Sequence, residues 1–203
     1  MRNIIYISIA FFLINCTSKS NSDLNSDALI KKTFNKSEIK DLQKIFDFFN
    51  SEICASNYEK LNECYLHYCL GIKSQIEKTT DFNTNLNYKK QENLYSKIHN
   101  NTFKEIWNYQ KSLPINERKD TLKFLGLNYE GKYRKFLNEY GKENKEIESY
   151  AESFNVSAGL SPSMIAELSF NYESFNIYEM KTKLIIAIHY LTLNDQNWRN
   201  EKY

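Results

Sequence analysis

Near the C-terminus, the run Leu184-Ile185-Ile186-Ala187-Ile188 puts an apolar side chain on nearly every face of a helix. A helix that is apolar all round has no side for solvent and belongs in the middle of a packed domain. Asn176 is placed to cap its start, with Glu179 completing a capping box and Phe175 and Met180 forming a hydrophobic staple. The rest of the chain must supply helices to pack around this one. Five glycines and two prolines in 203 residues leave few of the turns on which sheets depend. These features predict an all-α fold, a single globular bundle of about seven helices with a buried C-terminal helix.

The first helix is marked as clearly as the last. Asn35 is an N-cap, Glu38 reaches back to it, and Phe34 can pack on Ile39. Ile39, Leu42, Ile45, Phe46, Phe49 and Ile53 then recur at helical spacing, which predicts a helix over Lys36–Ile53. Ser56 with Glu59 opens a second helix over 56–78, and a short loop makes the two an αα-hairpin. Further helices are predicted over 88–98, 102–112, 129–140 and 144–154, with Gly141 as a C′ glycine. Ser161-Pro162 starts another that runs to 170. Residues 113–128 carry no clear period, and 195–203 read as a polar tail.

Charge narrows the partners. Lys and Arg number 27 against 25 Asp and Glu, a net charge of +2. Phosphate backbones need a clustered positive patch, so nucleic acid is not expected as a partner. Fifteen Tyr and thirteen Phe are many for this length. Core packing accounts for most of them, and an aromatic groove for peptide or glycan is the functional alternative.

The N-terminus carries an address. Arg2 gives a positive start, an apolar run covers residues 4–14, and Leu13-Ile14-Asn15-Cys16 is followed by Thr17-Ser18-Lys19-Ser20. A charged start, a short apolar core and a processing site are the parts of a secretory signal, and the run is too short to span a bilayer. Leu13-Ile14-Asn15-Cys16 resembles the lipobox of bacterial lipoproteins, with Asn15 where Gly, Ala or Ser usually stands. The resemblance implies a bacterial cell-envelope protein whose mature chain begins at an acylated Cys16. The absence of an acidic residue after Cys16 points, by the same analogy, to the outer membrane. The expected organisation is a signal peptide over 1–15, the lipidated Cys and a flexible tether over 16–33, and a helical domain over 34–203.

Outside Cys16, chemistry-bearing residues are few. Cys54, Cys64 and Cys69 remain. A helical hairpin brings Cys54 within reach of Cys64, so one reading is a Cys54–Cys64 disulfide and the other is three buried thiols. Cys64, His67 and Cys69 lack the spacing of a zinc site, and no metal or cofactor is expected. His189 lies in the most apolar helix and Glu167 on a largely buried one. A neutral core imidazole is the simpler account of His189, whereas a hydrolase would use His189 and Glu167 as acid and base. HExxH, GxSxG, P-loop and GxGxxG motifs are absent from the sequence. The small residues of loop 155–163 and the triplet Asp120-Thr121-Leu122, which resembles a bacterial O-glycosylation acceptor, are weaker candidates.

The expectation is thus a membrane-held interaction protein with an unknown protein, peptide or glycan partner. The alternatives are an envelope hydrolase and an immunity or inhibitor protein. Mass spectrometry of the mature N-terminus is expected to find acyl chains on Cys16, and a Cys16→Ala variant is expected to leave the membrane fraction.

Overall fold

The computed structural model describes residues 23–54, 60–79, 82–111, 122–157 and 159–201. Its regular elements are α1 (Ala28–Thr33), α2 (Lys36–Ile53), α3 (Leu61–Thr79), α4 (Tyr88–Ser96), α5 (Asn100–Ile106), β1 (Trp107–Lys111), β2 (Lys123–Leu127), α6 (Lys132–Gly141), α7 (Lys145–Ser157), α8 (Pro162–Phe170) and α9 (Met180–Trp198). The fold is largely α-helical, with nine helices and one two-stranded sheet among the described residues. No helix there is long and apolar enough to cross a membrane. The signal peptide and Cys16, the Ser56 capping box, and Asp120 and Thr121 lie outside the described residues.

α9 is buried along its whole middle, from Thr182 through Asp195. Its β-branched run is a modest helix former, so packing rather than local propensity holds it. α2, α4 and β2 pack on it. Its polar side chains are answered by neighbours. Thr192 accepts from Trp107 Nε1 at 2.8 Å, and Asn194 donates to Gln91 Oε1 at 2.7 Å. Gln91 in turn donates to the Leu191 carbonyl at 2.7 Å, and Thr84 donates to Asn194 at 2.5 Å. These bonds fix β1, α4 and the loop before α4 against one helix. α2 starts at the expected capping box, with Asn35 accepting from Glu38 N and Glu38 reaching back to Asn35 N.

Several expectations are corrected. Residues 23–33 fold instead of forming a tether: Leu24 and Ile30 are fully buried, and Asp27 caps α1. The helix predicted over 102–112 ends at Ile106, and Trp107–Lys111 pairs antiparallel with Lys123–Leu127, in the register Trp107↔Leu127 to Lys111↔Lys123. Trp107-Asn108-Tyr109-Gln110-Lys111 alternates apolar and polar, a period of two that this short segment shares with strands.

Gly141 is not a left-handed cap: no glycine has positive φ. It closes a tight approach instead, since a Cβ there would lie 2.9 Å from the Glu148 Cα. Gly131 is tighter still. A Cβ would meet the Glu105 carbonyl oxygen at 2.3 Å, so only glycine lets α6 begin against α5. α9 begins after Glu179 rather than Asn176, whose amide donates to the Glu179 carboxylate.

The largest correction is at the C-terminus. Asp195 is buried and forms a two-pronged pair with Arg199, at 2.7 and 2.8 Å. Beyond it, the Glu201 carbonyl accepts from Lys123 N at 2.8 Å, and the Glu201 carboxylate meets Lys123 Nζ at 3.0 Å. The supposed polar tail therefore clasps β2. Removing Arg199 would strand a buried carboxylate. Arg199→Met is expected to lower stability by about 3–5 kcal/mol in urea denaturation, and the double change Asp195→Leu/Arg199→Met to recover most of it.

Candidate functional site

The stretch from Ile98 to Tyr109 turns from the end of α4 through α5 into β1, and it presents a cleft on either side of its exposed ridge. α5 has seven residues and is too short to be stable alone. What organises it is a carboxylate from another helix. Asp41, fully buried on α2, accepts from His99 N at 3.0 Å, His99 Nδ1 at 2.7 Å and Thr102 Oγ1 at 2.8 Å. Its other oxygen takes Lys44 Nζ at 2.7 Å. His99 is the N-cap of α5 and has no cap bond of its own side chain; Asp41 instead ties the start of the helix to α2 through the His99 N–H and the Thr102 hydroxyl.

Burial alone would raise the Asp41 carboxyl, but the bonds from Lys44, Thr102 and His99 outweigh it and hold it down at about 2. An ionised carboxylate only accepts, so His99 Nδ1 carries the hydrogen. In the neutral ring, Nε2 is then a bare acceptor. The His99 side chain is 68% exposed, and no described residue bonds to Nε2. His99 borders a polar cleft of about 420 Å³, together with Asn35, Glu38, Asn101, Lys104 and Glu105. A carboxylate-oriented imidazole of this kind serves as a base or as a fixed acceptor. The Thr102 hydroxyl, in the same cleft, is already committed to Asp41.

Across the ridge lies a second cleft of about 300 Å³, the low end of the range for small-ligand sites. Tyr95, Phe103, Trp107 and Tyr109 form its wall, and Asn100, Lys104 and Asn108 edge it. The rings brace one another: Tyr95 meets Phe103 edge-on at 5.4 Å, Trp107 lies 5.4 Å from Phe103, and Tyr109 lies 5.6 Å from Phe103. Trp107 forms the sealed floor, and Tyr109 is the exposed rim. Lys123 Nζ stands 4.1 Å and the Arg199 guanidinium 4.9 Å from the Tyr109 ring centroid, so the C-terminal clasp also sets this rim. Glu105 completes the frame by accepting from Lys132 N at the start of α6.

The residues predicted for chemistry lie elsewhere. His189 is fully buried, its Nδ1 is bonded to Tyr150 OH at 2.9 Å, and its Nε2 has no partner. Glu167 is half-buried on α8, and its carboxyl is raised by burial while Ser149 holds a hydrogen bond to it. No hydrogen bond or ion pair joins Glu167 to His189 among the described residues, and a sealed imidazole meets no substrate. The hydrolase reading that used His189 and Glu167 loses its basis.

Cys54 and Cys64 are joined in a disulfide, Cα–Cα 5.1 Å, which ties the end of α2 to the start of α3. Cys69 is a free buried thiol, pushed up to about 12 by burial. No group of three or more His, Cys, Asp or Glu among the described residues could hold a metal ion. The 155–163 loop contributes a hydrogen bond from Ser157 Oγ to the Gly159 carbonyl and the Ser161 cap of α8.

Asp41 and His99 went unnoticed in the sequence because they are 58 residues apart. The one local signal was Thr102, which looked like the start of its own helix.

No known protein family matches the chain, and no curated protein or solved structure matches it.

Burial pushes the His189 imidazole down to about 3. The unfolded chain takes up a proton near the ordinary value of about 6.5 and the folded one does not, so stability falls as the pH drops below that value. Between pH 7.5 and pH 5 this group alone is expected to remove about 2 kcal/mol, at roughly 1.4 kcal/mol per unit. Urea midpoints of the wild type and of His189→Leu at the two pH values check it: the variant's loss is expected to be smaller by that amount.

Proposed function

We propose that this chain is an interaction protein of the bacterial cell envelope, held at the outer membrane by acylated Cys16, which takes its partner in the aromatic cleft beside α5 and β1. The helices and hairpin are read as one bundle around α9. The observation that carries the reading is the cleft itself. Most of the chain's Tyr and Phe residues are spent on the core, yet half-buried Tyr95 and exposed Tyr109, with buried Phe103 behind them, line an open concavity edged by Asn100, Asn108 and Lys104. Aromatic walls with a few polar groups at the edge are the usual make-up of a recognition site. The oriented His99 on the other side of the ridge extends it with an exposed polar ring.

A photocrosslinking amino acid at position 109, in the full chain expressed in its envelope, tests this. Val156, highly exposed and outside the cleft, is the control position. A discrete adduct at 109 that is missing at 156 is the expected result. Equal labelling at both positions, or none at 109, overturns it.

A further inference from the structure

The two strands present unequal edges. In the register Trp107↔Leu127 to Lys111↔Lys123, Asn128 N donates to the Ile106 carbonyl at 2.8 Å. Bonded and non-bonded pairs alternate along an antiparallel ladder. Asn108 and Gln110 therefore turn their main-chain groups to β2, and Trp107 and Tyr109 turn theirs outward. On β2 the same alternation sends the main chain of Lys123 and Leu125 to the opposite edge. That edge is answered by the chain itself: Lys123 N donates to the Glu201 carbonyl, and the Leu125 carbonyl accepts from Gln196 Nε2 at 2.7 Å.

The β1 edge has no such cover. Trp107 N donates to the Phe103 carbonyl where α5 ends. The Trp107 carbonyl and both main-chain groups of Tyr109 have no partner among the described residues. They form an acceptor, a donor and an acceptor in line, repeating every two residues or about 7 Å. An extended peptide carries the matching series on its own main chain. A helix spends its main-chain groups internally, and a sugar has no such repeat.

The aromatic cleft opens at this same edge. Trp107, Asn108 and Tyr109 of β1 line it, and no residue of β2 does. Residues directly opposite one another in a sheet point their side chains to the same face. A residue added opposite Tyr109 thus sends its side chain to the side where the Tyr109 ring meets Phe103. The cleft of about 300 Å³ on that side has room for one apolar side chain.

We propose that the open edge of β1 binds an extended peptide segment of the partner by strand addition: the peptide main chain bonds to the Tyr109 N–H and to the Trp107 and Tyr109 carbonyls, and one apolar side chain enters the cleft. The proposal deepens the reading of the cleft as a recognition site and rests on it. β1 has five residues, so the segment it holds is short.

The test probes the full chain with an array of random nonapeptides, then resynthesises the strongest binders with single N-methyl groups along the backbone. N-methylation at alternate residues is expected to weaken binding about tenfold, and at the residues between them to change it little. A contact made by side chains alone would not alternate. Hydrogen exchange at the Tyr109 amide is expected to slow about tenfold on binding, while the Asn108 and Gln110 amides, already in the ladder, change little. Tyr109→Pro removes the outward N–H and is expected to bind more weakly than Tyr109→Ala, which removes only the ring. If the proline variant does not fold, N-methylation and exchange decide. An array without binders, N-methyl losses that do not alternate, or an unprotected Tyr109 amide would each overturn the proposal. A dimer of the free protein that Tyr109→Pro dissociates would give the edge to a second copy and overturn it too. If crosslinking at position 109 captures a specific partner while the peptide experiments fail, strand addition is refuted and the cleft stands. If both fail, the cleft falls as well.

Discussion

A helix without a solvent face obliges every polar group on it to find a protein partner, and α9 has this obligation over fourteen consecutive residues. Thr192, Asn194 and Asp195 sit among the isoleucines and leucines, and each fixes something at a distance. Thr192 takes the Trp107 indole, Asn194 holds Gln91 and Thr84, and Asp195 holds Arg199. Apolar packing alone is tolerant of small rotations, whereas these bonds have one geometry each. They set where α4, β1 and the C-terminal residues lie. The one incomplete answer is at His189, where Tyr150 satisfies one ring nitrogen and the other stays without a partner.

The aromatic cleft follows from that arrangement. Trp107 is drawn to α9 by its indole nitrogen, and Tyr95 meets it edge-on from α4 and Phe103 at a tilt from α5. Tyr109, two residues on in the strand, turns to the same side and is bordered by Lys123 and Arg199. The rim of the cleft thus borders residues near the end of the chain, where a buried ion pair holds the Arg199 guanidinium beside Tyr109. Gly131 adds a steric requirement on the other side, since α6 comes so near α5 that no side chain fits between them.

Much of the helical framework was legible in the sequence because its signals are local. The Asn35–Glu38 capping box, the stripe from Ile39 to Ile53, Ser161-Pro162 and the apolar run of α9 all act within a turn or two. What escaped were features that need a distant partner. Trp107–Lys111 becomes a strand only when Lys123–Leu127 lies beside it. Asp195 and Arg199 look like a polar tail until α9 is seen to run past Leu193 with no exposed face. Residues 23–33 look too polar to fold, yet Leu24 and Ile30 supply two anchors that suffice. The same limit explains the site. His189 stood out by its apolar neighbours, the very condition that seals it from any ligand. His99 sat unremarked in a polar stretch, and its orientation comes from a carboxylate on another helix.

That borrowed carboxylate has a consequence for the order in which the molecule comes together and apart. α5 is seven residues long and its start is held by Asp41, so it has no existence separate from α2. The ridge between the clefts is therefore a conditional structure, whose start depends on α2 being in place. Its amide protons should exchange by a local opening that breaks this contact together with the packing of Phe103 on Tyr95 and Trp107. Any molecule that grips the ridge also tightens the joint between α5 and α2, so occupancy at the surface would be felt as rigidity deep in the first long helix.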